Sequence, residues 1–441
     1  MSKNRCFSTG IRVVVATVFL LCLPIMQAHA VPSFARQTGM ECSTCHTVFP
    51  ELTAVGRDFK VNGYTWTDVT KGQSSGLQEN IYAPVSAMLL VSYSRSKTTQ
   101  PGTQNGNVLL PDQLSFFYAG RISDKAGAFA QVTYTEVDNH FSMDNTDIRF
   151  VGSAKGIVYG VTVNNNPTVQ DLWNSVPAWG FPFIGSSVAP TPSAAAQVDG
   201  TLAQQVAGAG VYGFWSNLLY GEVALYRSSQ VGGSQPPNSA TDTNVVSGTA
   251  PYWRLAVQQD WGNHSAEVGT FGMIIQTSPG GGIAFGATDR FKDYAFDAQY
   301  QFSSGANDVS VHGSWIREQQ DWNASFPAGL TANTSDKLTT IKVDGSYYYN
   351  HKIGATIEYF STTGTPDTGL YAPADVTGSA SGNPDSKGYI AELDYLPWQN
   401  TKFAVQYVFY NEFNGGTSNY DGSGRNAKDN NTLFVAAWLM F

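Results

Sequence analysis

"KFAVQYVFY", residues 402–410, places Phe403, Val405, Tyr407 and Phe409 on one side of an extended chain. Lys402, Ala404, Gln406 and Val408 fall on the other, because successive side chains of a strand point to opposite faces. The same period of two recurs in "KIGATIEY" (352–359), "YAFDAQYQF" (294–302) and "YIAELDY" (389–395). In each, one face is apolar with aromatic ends. The other carries Glu358, Asp297, Gln299, Gln301, Glu392 or Asp394. Alternation of this kind fits a half-buried strand. By itself it fits a soluble sandwich as well as a membrane barrel.

The connections separate the two. Sixteen strand-like runs start near residues 82, 112, 126, 145, 157, 206, 218, 251, 263, 290, 307, 337, 352, 387, 401 and 431. Tight turns, such as Ser216-Asn217, Trp261-Gly262 and Asn350-His351, alternate strictly with long connections such as 165–205, 229–250, 319–335 and 361–385. An even strand number with tight turns at one rim and long loops at the other is the layout of an outer-membrane barrel. The last run, "TLFVAAWLMF", carries Leu433, Val435, Ala437 and Leu439 on one face and ends on Phe441. The expected fold is therefore all-β, an antiparallel transmembrane barrel of about sixteen strands over residues 81–441. A closed barrel hides its own edges, so a monomer is expected. Composition agrees: 44 Gly, 22 Tyr, 25 Phe and 10 Trp, with only 13% charged residues.

The front of the chain sets the route. Lys3, Arg5 and Arg12 precede the apolar run Val13–Leu23, and Ala28-His29-Ala30 follows, the three parts of a secretory signal peptide over residues 1–30. The run is shorter than the ~20 residues of a membrane span. Removing the leader also removes Cys6 and Cys22 and takes the formal charge from −9 to −12. An acidic balance argues against nucleic acid as a partner and suits attraction of cations.

The two cysteines that stay lie in "MECSTCHTVF", residues 40–49. Cys42-Ser43-Thr44-Cys45-His46 fits C-x-x-C-H, the attachment pattern of a c-type haem. Two thiols one helical turn apart can each form a thioether to a porphyrin vinyl group, and the next residue offers an imidazole to the iron. A structural disulfide is one competing reading; a zinc site would need two more ligands at similar spacing, and a redox C-x-x-C would sit in a βαβ unit. Neither context is present. One covalent haem c is expected, held by Cys42 and Cys45, with His46 as axial ligand to the iron. Its short α-helical head, residues 31–80, is too small to bury a core alone. It is expected to fold into the lumen, which Asp147, Arg149, Arg254, Asp297, His312, Lys342, Asp344, Glu358 and Glu392 would line. Met88 has lumen parity and is the candidate distal ligand, with Met40, Met143, His140 and His312 as rivals.

The stretch "PSFARQTGMECSTCHTVFPELTAVGRDFKVNGYTW" (32–66), with "FSMDNTDIRF" (141–150) and "NNNPTVQDLWNSVPAWGFPF" (164–183), resembles the fused monohaem cytochrome c–porins of the outer membrane. The resemblance implies oxidation of extracellular Fe(II), an iron:cytochrome c oxidoreductase-type activity. It also implies delivery of electrons to a soluble periplasmic cytochrome. Two other functions share the same head: a conduit for a different donor, such as reduced sulfur or another cytochrome, and a solute porin with a haem plug. Loop acids Asp138, Asp144, Asp171, Asp367 and Asp375 are expected to face outward, where they could gather Fe(II). The loop "PTVQDLWNSVPAWGFP" either folds inward over the haem or packs on itself.

Overall fold

The structure, a computed structural model, describes residues 32–67, 82–228, 245–279 and 286–441. The expected leader, residues 1–30, lies outside them. Three short helices open the described chain: α1 (Pro32–Thr38), α2 (Cys42–Cys45) and α3 (Ala54–Val61). The barrel begins with β1 (Val85–Ser96), β2 (Asn107–Ser123), β3 (Ala126–Thr135), β4 (His140–Ala154), β5 (Ile157–Asn164), β6 (Val206–Trp215) and β7 (Leu219–Ser228). It continues through the two-residue β8 (Val245–Val246), β9 (Ala250–Trp261), β10 (His264–Ser278), β11 (Asp289–Ser304) and β12 (Asn307–Asp321). It ends with β13 (Ser335–Tyr349), β14 (Ile353–Gly364), β15 (Ser386–Trp398), β16 (Thr401–Glu412) and β17 (Thr432–Met440).

Every neighbouring pair is antiparallel, and β1 pairs with both β2 and β17, Met88 lying opposite Met440 at the second seam. The result is a closed barrel of sixteen strands, with β8 adding a short extension beside β10. The expected strand parity holds on both faces. Phe296 (60% exposed), Ile357 (59%) and Leu393 (64%) point outward, while Asp297, Glu358 and Glu392 are sealed inside. An apolar exterior over an antiparallel wall is stable only against lipid, where every backbone group must be satisfied within the wall. Exposed aromatics cluster near the tight-turn rim, among them Trp215, Trp261, Tyr349, Tyr395 and Trp398. A second set, Phe141, Tyr294, Tyr389 and Phe409, lies toward the opposite rim. Two such girdles are what an outer-membrane barrel carries at its two interfaces. The chain is an outer-membrane protein, with its tight turns on the periplasmic side by the same rule.

Two features differ from the sequence expectation. The β3–β4 connection, 136–139, is a tight hairpin at the long-loop rim, so the alternation of short and long connections is not strict. On β10, Phe271, Met273 and Ile275 face inward and are fully buried. There the lumen is not water: the connection 165–205 packs on the wall, with Val198 and Leu202 in the same cluster.

The head lies in the tight-turn half of the lumen rather than near the outer mouth. Its bonds reach most of the circumference. Gln37 Oε1 accepts from the Arg121 N–H on β2 at 2.8 Å, and the Tyr64 hydroxyl donates to Asp147 on β4 at 2.7 Å. Tyr212 on β6 donates to the Val61 carbonyl at 2.8 Å. Arg57 donates to Asp260 on β9 and Gln301 on β11. Ser310 on β12 donates to Glu51, and Gln399, in the turn after β15, accepts from the Cys42 N–H. Gly127 on β3 permits this close docking, since a Cβ there would lie 2.2 Å from the Gly63 carbonyl oxygen.

Candidate haem site in the lumen

Thr53 caps α3, its side chain accepting from the Gly56 N–H, and that turn brings α3 under the cysteine-bearing helix. Gly56 is needed there: a Cβ would sit 2.3 Å from the Cys45 carbonyl oxygen. The chain then presents Cys42, Cys45 and His46 to one cavity of about 430 Å³, a volume in the range of small-molecule and cofactor sites. Its lining is largely apolar, including Phe34, Phe49, Phe117, Phe129, Trp179 and Phe183. The head forms one side, β1–β4 and β17 the wall, and residues 174–184 of the long connection the rest.

The side chains fit the group that the motif implies. Both cysteines are thiols, and burial, with Cys42 adding to it, pushes the Cys45 thiol up to about 11. A redox C-x-x-C would be expected to show the opposite, a lowered thiol. Burial holds the His46 imidazole down to about 4, so it is neutral at physiological pH, the form that ligates a metal. His46 Nδ1 lies 3.1 Å from the Glu51 carbonyl oxygen. An Nδ1–H donated there fixes the ring and leaves Nε2 for an iron, the usual outer support of a ligating histidine. Trp438 also lines the cavity, and its buried Nε1–H has no hydrogen-bond partner among the described residues. It is a donor set to meet a polar group of an occupant.

Met88 lines this cavity, as its parity implied, and is 4% exposed. Met40 lines it too. Met143 is outward and exposed, His140 engages the Asp138 carbonyl at the far hairpin, and His312 binds Asp344. The sequence reading passed over Met440, which also lines the cavity and sits opposite Met88 across the seam. The parity of "TLFVAAWLMF" held the signal: with Leu439 facing out, Met440 faces in.

The connection 165–205 folds inward. Asp171 Oδ1 meets Arg254 Nε at 2.8 Å, Ser186 accepts from Ser94 at 2.7 Å, and the Ile184 carbonyl accepts from Gln406 at 2.9 Å. Lys60 donates to the Val169 and Asp171 carbonyls and to Asn174 Oδ1, fastening head to loop. Trp173 and Leu172 are fully buried, each contributing roughly 1.5–3 kcal/mol of apolar burial. The expected outward acid set is therefore corrected. Asp171 is buried in the Arg254 cluster, Asp144 lines the cavity, and Asp367 is buried, accepting backbone N–H groups of Ala332 and Leu370. Asp138 and Asp375 are exposed.

No known family profile matches the sequence, and no curated protein does. Among solved structures, it is similar to outer-membrane-expressed OmpT of Vibrio cholerae, 10% identical over 83% of this chain and 100% of that one, TM-score 0.45. OmpF of Salmonella typhi, in complex with daunomycin, is 12% identical over 81% and 97%, TM-score 0.47. An anion-selective porin from Comamonas acidovorans is 12% identical over 81% and 98%, TM-score 0.48. At these identities the likeness extends to barrel shape and no further.

Proposed function

We propose that the chain is an electron conduit of the outer membrane, carrying one covalent haem c in the lumenal cavity. In this reading it oxidises an extracellular donor, Fe(II) foremost, and passes electrons to a soluble periplasmic carrier. The observation that carries the reading is the convergence of Cys42, Cys45 and His46 on a single apolar cavity inside a closed barrel. A haem bound there supplies a one-electron couple. Cys42 and Cys45 would fix it covalently, and His46, neutral and oriented by Glu51, would hold the iron. A thioether from Met88 or Met440 would raise the potential, which suits an acceptor of electrons from iron. The head and the inward loop form two sides of the cavity, and the barrel wall holds it within a hydrocarbon layer ~30 Å thick that charged donors do not cross.

The barrel also supports a second reading. Sixteen strands enclose an aqueous lumen when nothing fills it, so the chain could be a solute porin whose head is a plug. The two separate in one experiment. Fe(II) added to intact outer membranes should bring up the reduced c-type absorption bands. If a strong chemical reductant produces those bands and Fe(II) does not, the iron reading is overturned; a different external donor that does would leave the conduit standing.

A further inference from the structure

A second buried constellation lies on the opposite side of the head from the haem cavity. Glu51, His312 and Asp344 come from the turn after His46, from β12 and from β13, and their ligand atoms all lie within 4.8 Å of one another. Glu51 is 0% exposed, His312 6% and Asp344 7%. His312 Nδ1 is 2.8 Å from Asp344 Oδ1 and 3.7 Å from Glu51 Oε1. Metal–ligand bonds of ~2.1 Å at tetrahedral to octahedral angles put neighbouring ligand atoms roughly 3.0–3.5 Å apart. The two observed separations bracket that range.

The hydrogen bonding leaves a gap at the centre. Glu51 Oε2 accepts from Thr47 at 2.8 Å and from Ser310 at 2.7 Å. Glu51 Oε1, the oxygen aimed at His312, has no hydrogen-bond partner among the described residues. Neither has His312 Nε2. Gln299, the cross-strand neighbour of His312 on β11, is buried with both ends of its amide in the same state. A buried carboxylate oxygen left without a hydrogen-bond partner is destabilising unless something else satisfies it. A cavity of about 20 Å³ borders His312 and Asp344, room for about one water-sized ligand.

We propose that Glu51, His312 and Asp344 bind a resident divalent transition metal ion that ties the haem-ligand turn to the barrel wall. One imidazole with two carboxylates suits Mn(II), Fe(II) or Zn(II), whereas Ca(II) and Mg(II) favour all-oxygen sets. The coupling to the other site is covalent and short. The Glu51 side chain faces this cluster, and its backbone carbonyl holds His46 Nδ1. The ion would therefore set the position of the haem ligand through a single residue, without itself meeting the donor. Burial from both head and wall makes it a fixture rather than a passing substrate.

The site uses protein groups alone, so its test is separate from that of the haem. The full mature protein, purified in detergent without chelator, is analysed for metal, stripped, and titrated with MnCl2 while the paramagnetic resonance of free Mn(II) is followed. One tightly bound ion per chain is expected. Asp344→Asn and His312→Gln should each weaken Mn(II) binding by no less than the roughly 10- to 100-fold that outer-sphere partners cost. Glu136→Gln, in the exposed 136–139 hairpin, should not. Heat-dependent gel migration reports whether each variant is still a barrel, and the wild-type titration decides the matter even if a variant fails to fold. No stoichiometric binding by wild type, or equal binding by Asp344→Asn, overturns the site. Haem without this ion sinks this inference only, and the ion without haem sinks only the electron-transfer reading.

Discussion

Met88 and Met440 face one another across the seam that closes the barrel, and both open onto the cavity that holds His46. If the cavity carries the proposed haem, one of these thioethers would complete its ligation. Substituting that methionine by alanine should abolish the long-wavelength absorption band of a thioether–ferric iron bond and lower the midpoint potential, since methionine ligation raises it. The other substitution should leave the band in place. Retention of the band in both variants would exclude these two residues as ligands. Cys42, Cys45 and His46 were legible in the sequence because the motif is local: five consecutive positions state the whole requirement. Met88 was half legible, through strand parity. Met440 was not found, although its parity was available, because its nearness to Met88 exists only once residue 440 is paired with residue 88. Asp171 was misread for the same kind of reason. Its charge partner, Arg254, lies 83 positions away on a strand, as their numbers in the chain show.

At the scale of elements, alternation made the strands legible, and the observed starts lie within a few positions of the expected ones, apart from β2 and β4, which begin about five residues earlier. It failed where both faces are covered. The run Phe271–Ile275 has lipid on one side and the inward loop on the other, so no polar period survives. The direction of the loop itself was open from sequence, because its anchors are single side chains on distant strands. Arg254 is the chief one. It meets Asp171, Glu267 and Asp297 at 2.8, 3.1 and 2.8 Å, with all four groups buried. Breaking a buried pair by removing one partner costs about 3–5 kcal/mol, because it strands the other charge. Arg254→Ala should therefore release the loop 165–205 from the wall while the strands remain paired. Limited proteolysis from the long-loop side should then cut between residues 165 and 205 faster than in wild type, with barrel migration unchanged. Equal cleavage rates would mean that the remaining anchors, such as the Ser94–Ser186 and Gln406–Ile184 contacts, suffice.

For the whole molecule the question is whether the tube conducts. A sixteen-stranded barrel is wide enough for an aqueous channel, yet this one contains two obstructions at different depths. The head is bonded to strands spread from β1 to β12 and to the β15–β16 turn, and the loop crosses above it. In a planar bilayer the intact protein should thus pass far less current than an open barrel of the same strand number. Deleting residues 31–67 should raise that current several-fold without preventing insertion. The reason lies in what deletion exposes. Asp147, Asp260, Gln301 and Ser310 lose partners in the head but gain water, so their polar groups stay satisfied. The lipid-facing girdles are untouched. Because Arg254 and its carboxylates remain, the loop still narrows the lumen, and the current should rise further when Arg254→Ala is added. An intact protein that already conducts like an open porin would show that solutes pass the head. The plug would then be a gate, and the barrel's first task would be transport rather than electron transfer.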